Sequence, residues 1–259
     1  MKTFLSAFTC LLFTVLLLSC TNHNVQQERQ APKLLPEFEE VLNAHGDWQK
    51  WYHAKAQNYT MMHETVLVEE DAFINLDSRK IRLSSNEFEM GYNGEKTWIS
   101  PSREAYGGPS IKFYHNLYFY FFNIPFVFTD PGVKIEKVED HPLNGKSYPT
   151  LKATFEAGTG NSPNDKYYLL LNPQTKRLEY LLYTVTYFDH QQAKLSALKF
   201  EDYKEHEGVF YPRILTGYAL ENDSTQFIRY QVSFKNPKLL DEPFDNNIFE
   251  KQENGIFAD

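Results

Sequence analysis

Three observations predict the fold class: α+β, mainly β. First, most of the chain alternates apolar and polar residues at period two, broken at short intervals by turn signals. Second, Leu178–Phe188 is apolar on both faces, which places it centrally in the sheet with something covering each side. Third, within IKFYHNLYFYFFNIPFVFTD, residues Ile111–Asn123 read as a helix that is apolar all round. Such a helix is covered on every side or lies in lipid, and this one is far shorter than the roughly 20 apolar residues a bilayer requires. Together they predict a strongly curved antiparallel sheet, an open half-barrel. An N-terminal helix and the aromatic helix pack on its concave face.

The N-terminus has an export layout: Lys2, an apolar run from Phe4 to Leu18, and small Ser19 before Cys20. Leu17-Leu18-Ser19-Cys20 resembles the lipobox of bacterial lipoproteins. That resemblance implies residues 1–19 as a cleaved signal peptide and acylation of Cys20, with palmitate-like chains as a membrane anchor. The chemistry uses a thiolate as nucleophile, and more than one acyl chain is needed for stable anchoring. An ordinary secretory signal or an uncleaved anchor are the alternatives; the short run fits a signal better than a span. Cys10 leaves with the signal, so the mature domain holds no free thiol and no disulfide. Cleavage removes one charge, Lys2, taking the formal net charge from −8 to −9. That acidity argues against nucleic acid and against adhesion to anionic headgroups. Residues 20–35 read as the lipidated cysteine and a polar, aperiodic tether. No Asp follows Cys20 closely; by analogy with known sorting rules, this favours the outer membrane facing the periplasm.

Residues 36–259 are expected to form one β-rich domain. Its first helix is placed at Pro36–His45, with Pro36 in the first turn and Phe38, Val41, Leu42 and His45 on one face. Gly46 ends it, and Asp47 caps a short turn carrying Trp48, Trp51 and Tyr52. Strands are predicted at Tyr59–Glu69, Ala72–Leu76, Lys80–Ser84, Glu87–Tyr92 and Lys96–Ile99, the last two joined by Asn93-Gly94. The loop Pro101–Ser110 precedes the aromatic helix, with Ser110 as its cap, and Pro125 and Asp130-Pro131-Gly132 end it. Further strands are expected at Val133–Val138, Tyr148–Phe155, Lys166–Leu171, Leu178–Phe188, Leu195–Tyr203, Val209–Leu220 and Gln226–Phe234. They turn at Asn144-Gly145, Asn172-Pro173-Gln174-Thr175, Glu207-Gly208 and Asn222-Asp223. Pro243–Phe249 reads as a closing turn anchored by Phe244 and Phe249.

The ordered motifs Asn93-Gly94-Glu95-Lys96-Thr97-Trp98, Asn172-Pro173-Gln174-Thr175 and Gly208-Val209-Phe210-Tyr211-Pro212, after a leading helix, resemble the LolA/LolB-like superfamily of lipoprotein-sorting carriers and receptors. That resemblance implies an unclosed barrel with helices across its mouth. More closely, FYHNLYFYFFNIPFV and GTGNSPNDKYYLLLNPQT resemble an uncharacterised family of bacterial lipoproteins, a domain of unknown function that brings no activity with it. Sorting carriers are not themselves acylated and their lid is less aromatic, so carrier function does not follow.

Catalytic and metal chemistry find little support. Gly158-Thr159-Gly160 is a lone G-x-G better read as a flexible turn. The histidines lack metal-ligand spacing; His63 and His115 could meet in space, but each reads more simply as a satisfied buried side chain. No G-x-S-x-G elbow occurs. No cofactor is expected, and no nucleophile–base pair can be named. The aromatic helix has three readings: a buried core helix, a movable lid over a cavity for an acyl chain, and an interfacial membrane-dipping element. In the lid reading Phe113, Tyr114, Leu117, Tyr118, Phe121 and Phe122 line the site, facing Trp98 and Met90 from the sheet, with His115 and Asn116 bonded to strand backbone. The function expected is a non-enzymatic, lipid-anchored envelope protein that binds a hydrophobic ligand or a lipidated client. A filled-core interaction module and a carboxylate-dependent hydrolase are the alternatives.

Overall fold

The structure, a computed structural model, describes residues 32–156, 164–188 and 194–258. Cys20, the signal segment, most of the tether and Gly158-Thr159-Gly160 lie outside the described residues. Two helices open the domain, α1 (Pro36–Ala44) and α2 (Trp48–His53). Pro36 starts α1 with Glu37 and Glu39 in its first turn, where the helix dipole favours negative charge. The Asp47 side chain caps α2 by accepting from the Lys50 backbone N–H.

Five strands then meander: β1 (Ala56–His63), β2 (Val68–Asn75), β3 (Lys80–Ser84), β4 (Glu89–Tyr92) and β5 (Thr97–Ser100). The aromatic segment follows as α3 (Ile111–Tyr114), α4 (Leu117–Phe122) and a 3-10 turn at Phe126–Thr129. A second meander comprises β6 (Val133–Leu143), β7 (Lys146–Phe155), β8 (Tyr167–Leu171), β9 (Leu178–Tyr183), β10 (Ser196–His206), β11 (Val209–Glu221) and β12 (Ser224–Leu240). A 3-10 turn at Asn246–Phe249 leads to the short β13 (Ile256–Ala258).

All pairings are antiparallel in one sheet of order β13-β5-β4-β3-β2-β1-β12-β11-β10-β9-β8-β7-β6. β13 and β6 are its two edges and do not pair, so the sheet stays open. This order dictates where the aromatic segment must go. The first meander runs out to one side of the sheet and the second starts at the opposite edge. The chain from β5 to β6 therefore crosses the concave face, and the crossing is the aromatic segment. The main core lies on that face, between the sheet, α1, α2 and the aromatic segment. A smaller cluster on the convex side covers β9, with Tyr180 and Leu182 among Leu143, Tyr148, Leu170 and Ala197. β9 is thus buried on both faces, as its unbroken apolar run predicts.

Turn chemistry places the hairpins as the sequence predicts. Asn93 Oδ1 accepts from the Glu95 and Lys96 N–H groups, and Gly94 has φ +101°. Asn144-Gly145, Glu207-Gly208 and Asn222-Asp223 all have positive φ, the geometry of tight hairpins.

Four local expectations are corrected. Tyr59–Glu69 is not one strand: the chain turns at residues 64–67, with Leu67 at φ +55°, and His63 pairs Val68. The alternation runs on through the turn because Val66 and Leu67 are apolar yet exposed. Leu178–Phe188 leaves the ladder after Tyr183. The aromatic helix is broken at His115–Asn116 into two short helices, and Ser110 makes no side-chain cap bond. β13 on the free edge of β5 was not foreseen, because a three-residue strand is too short to show a period.

Candidate functional site

Around a helix, successive positions are about 100° apart, so 114, 118 and 122 form one stripe and 113, 117 and 121 its neighbour. The first stripe faces the sheet. Phe122 stacks between Phe234 (centroids 4.3 Å apart) and Tyr211 (5.0 Å), and meets Tyr59 at 4.7 Å. Tyr118 meets His63 edge-on at 5.0 Å. The segment is fixed at its end by Asn123, whose Oδ1 accepts from the Trp51 indole N–H (2.8 Å) and whose amide donates to Phe119 O.

Tyr114 anchors the other end. Its hydroxyl donates to Glu70 Oε1 at 2.8 Å and, having spent its hydrogen, accepts from His63 Nε2, also at 2.8 Å. Burial and the Glu70 charge push the Tyr114 phenol well above its ordinary pKa. Glu70 is only 1% exposed. Its Oε2, and the hydroxyls of Tyr59 and Tyr106, have no hydrogen-bond partner among the described residues. His63, Glu70 and Tyr114 thus converge in the interior, sealed beneath the aromatic segment and away from the cavity described below. Sequence reasoning missed this cluster. Its signal is present: Glu70 occupies an inward position in the alternation Val68, Glu70, Ala72, Ile74.

The second stripe faces a half-open cavity of about 570 Å³ in the mouth of the half-barrel. Phe113, Leu117, Tyr120, Phe121 and Ile124 form its floor. One wall is the β4–β5 hairpin, through Tyr92 and Thr97, with Ala258 of β13; the Thr97 hydroxyl donates to Ala258 O. The opposite wall is Val133, Phe155 and Tyr167, from β6, β7 and β8. Neither β6–β8 nor the tail was expected at the site, because their place at the mouth comes from sheet order and not from local pattern.

The nominated residues therefore separate. Phe113, Leu117 and Phe121 lie along the cavity; Tyr114, Tyr118 and Phe122 are turned into the core. Met90 is wholly buried in the main core. Trp98 does not face the aromatic segment. It is adjacent to inward-facing Ile99, so strand alternation turns it to the convex side. There its indole N–H donates to Phe249 O at 2.7 Å and its ring lies over Gly91. A Cβ at Gly91 would come within 2.3 Å of Ile81 O and 3.1 Å of that ring, so the close approach requires glycine.

His115 and Asn116 also differ from expectation. His115 Nδ1 bonds Ile111 O of its own helix at 3.1 Å rather than a strand, and its ring tilts against Tyr92 at 5.6 Å. His63 and His115 point in different directions, and no group of three His, Cys, Asp or Glu able to hold a metal occurs among the described residues. Burial lowers the His115 pKa to about 4, so its imidazole is neutral at pH 7. His115 lines the cavity, and with Nδ1 carrying the hydrogen its Nε2 is left as an acceptor for which the described residues offer no side-chain donor. Tyr120 and Tyr167 also line the cavity, and their hydroxyls have no hydrogen-bond partner among the described residues.

The charged residues lining the cavity are Arg79, Lys96 and Lys112 with Glu95, Asp130 and the buried Asp165. Arg79 is ion-paired with Asp130 and lies over Phe119 at 5.2 Å and Trp51 at 5.9 Å. Asp165 accepts from the Thr186 N–H at 2.6 Å, and burial raises its carboxyl above the usual range. Three cations and three carboxylates line the cavity, so its formal charges sum to zero, and among them Arg79 and Asp130 form an ion pair. No helix among the described residues is long and apolar enough to cross a membrane.

Residues 86–208 match a family of unknown function, DUF6503. The DUF6503 stretch spans the aromatic segment and, through β4–β5 and β6–β8, most of both walls of the cavity. No curated protein matches the sequence. Among solved structures, the chain is similar to a LolA superfamily protein from Nitrosomonas europaea, at 10% identity and TM-score 0.47, covering 80% of this chain and 98% of that one. It is also similar to a DUF1329 family protein from Desulfovibrio piger, at 9% identity and TM-score 0.49, covering 83% and 95%. A third is a domain described as an outer-membrane lipoprotein-sorting protein, from Vibrio parahaemolyticus, at 10% identity and TM-score 0.45, covering 82% and 96%. At these values the likeness carries no functional argument.

Proposed function

We propose that this protein holds one apolar chain, the acyl group of a lipid or of a lipidated client, in the mouth of its half-barrel, without chemistry on it. The observation that carries this reading is the cavity of about 570 Å³ whose floor is Phe113, Leu117 and Phe121. Its volume is within the roughly 300–1,000 Å³ common for small-molecule sites, and apolar side chains left facing a cavity gain most from an apolar guest. The reading extends to the N-terminus: Cys20 carries the acyl anchor, residues 1–19 are removed, and the domain works in the envelope, tethered to the outer membrane on its periplasmic side.

Both halves are tested with a Cys20→Ser variant, which has no acyl group of its own to compete for the cavity. Cells should hold the wild-type protein in the membrane fraction with an acyl mass on Cys20, and the variant, expressed without residues 1–19, should be soluble. The purified variant should bind a fluorescent fatty-acyl probe saturably, one per chain. Adding Leu117→Asp should weaken that binding at least tenfold while leaving the melting temperature nearly unchanged, since Leu117 is only partly buried. Absence of saturable binding, or indifference to Leu117→Asp, overturns the groove; wild-type protein recovered from cells without an acyl group on Cys20 overturns the anchor.

A further inference from the structure

The polar atoms of the cavity say more about its guest than the apolar ones. A plain hydrocarbon would cover Tyr120 Oη, Tyr167 Oη and His115 Nε2 and give them nothing to bond, although none has a side-chain hydrogen-bond partner among the described residues. Leaving buried polar groups unpaired opposes binding. Nor is the mouth built for an anionic head. Its three cations are equalled in number by three carboxylates, and Arg79, the one lining residue able to grip a carboxylate or phosphate with two parallel bonds, is ion-paired with Asp130 through Nη2, its Nη1 staying buried without a partner among the described residues. The chain as a whole is acidic, at −8. His115 sharpens the point. Its Nδ1 hydrogen is committed to Ile111 O, burial keeps the ring neutral, and Nε2 is an acceptor that calls for an O–H or N–H donor.

Resting on the groove reading above, we propose that the cavity selects a neutral amphiphile: a single apolar chain bearing an uncharged, hydroxyl-rich head, of the monoacylglycerol class, in preference to a fatty acid or an anionic phospholipid. The chain lies along Phe113, Leu117 and Phe121. The head donates to His115 Nε2 and exchanges hydrogen bonds with the Tyr120 and Tyr167 hydroxyls.

The test uses the Cys20→Ser protein at pH 7.5 and three ligands of equal chain length: monopalmitoylglycerol, palmitate and lysophosphatidylglycerol, each below its micelle concentration, displacing the acyl probe. Monopalmitoylglycerol should bind at least tenfold more tightly than either anion. Tyr120→Phe combined with Tyr167→Phe should shrink that preference to about two- or threefold while leaving palmitate affinity unchanged, which general damage to the fold would not do. His115→Phe, on the other wall, should reduce the preference independently and serves if the tyrosine pair does not fold. Equal or tighter binding of an anion, or a preference that survives both variants, overturns this inference and leaves the groove reading standing. Loss of binding for all three ligands overturns both.

Discussion

Tyr114, Tyr118 and Phe122 and their neighbours Phe113, Leu117 and Phe121 are equally greasy stripes of one segment, about 100° apart, yet they have different surroundings. The first is packed ring on ring and tied by hydrogen bonds to Glu70 and His63. The second lies on a cavity. Composition therefore does not separate structure from binding here; the partner does. The sheet-side stripe holds the segment in place, and that rigidity lets the other stripe keep its shape without a guest.

Three changes test this division, from the largest expected effect to the smallest. Phe122→Ala removes a ring that is stacked on both sides, and should cost about 3–5 kcal/mol by urea unfolding, the usual range for a buried Phe→Ala change. A cost near that of Leu117→Ala would erase the distinction between the stripes.

The next effect is acid-dependent. His115 beside the cavity and His45 in the core both have folded pKa values lowered to about 4 by burial. The unfolded chain takes up protons near pH 6.5 and the folded one does not, so each residue's contribution is intact above pH 6.5. It is lost as pH falls from 6.5 to about 4, and each residue contributes at most about 3.5 kcal/mol to that fall. Unfolding free energies at pH 7.5 and pH 4.5 should show the loss, and His115→Gln should remove the cavity-side share of it. An unchanged slope in that variant would put the acid sensitivity wholly on the sheet side.

The smallest effect is Tyr114→Phe, which deletes one hydroxyl bonded to a buried carboxylate. It should cost about 1.5–3 kcal/mol, the range for hydrogen bonds to charged groups, and should leave probe affinity within twofold. A large loss of affinity would mean that the anchor and the cavity are one unit.

Much of the fold could be read from local signals. Asp47, Asn93-Gly94 and Asn144-Gly145 mark helix starts and hairpins because caps and positive-φ turns need particular residues, and β9 announced its central place through an unbroken apolar run. Long-range placement could not be read this way. The alternation that identifies Ile99 and Trp98 as a strand pair does not say which of them faces inward, so Trp98 was set on the wrong side. The pair Glu69-Glu70 reads in the sequence as exposed charge serving solubility, and for Glu70 that is wrong: it is buried, as its parity with Ala72 and Ile74 indicates. Phe155, Tyr167 and Ala258 were missed at the site because they come together only when both ends of the sheet curl toward the same crossing segment.

The absence of pairing between β6 and β13 has a mechanical consequence. A closed barrel has a girth fixed by its ladder, and widening it means breaking rungs. Here the two rims are free of each other, so the span between them can gape or narrow by flexing alone, with every rung intact. On the groove reading, guests of unequal thickness would share one seat.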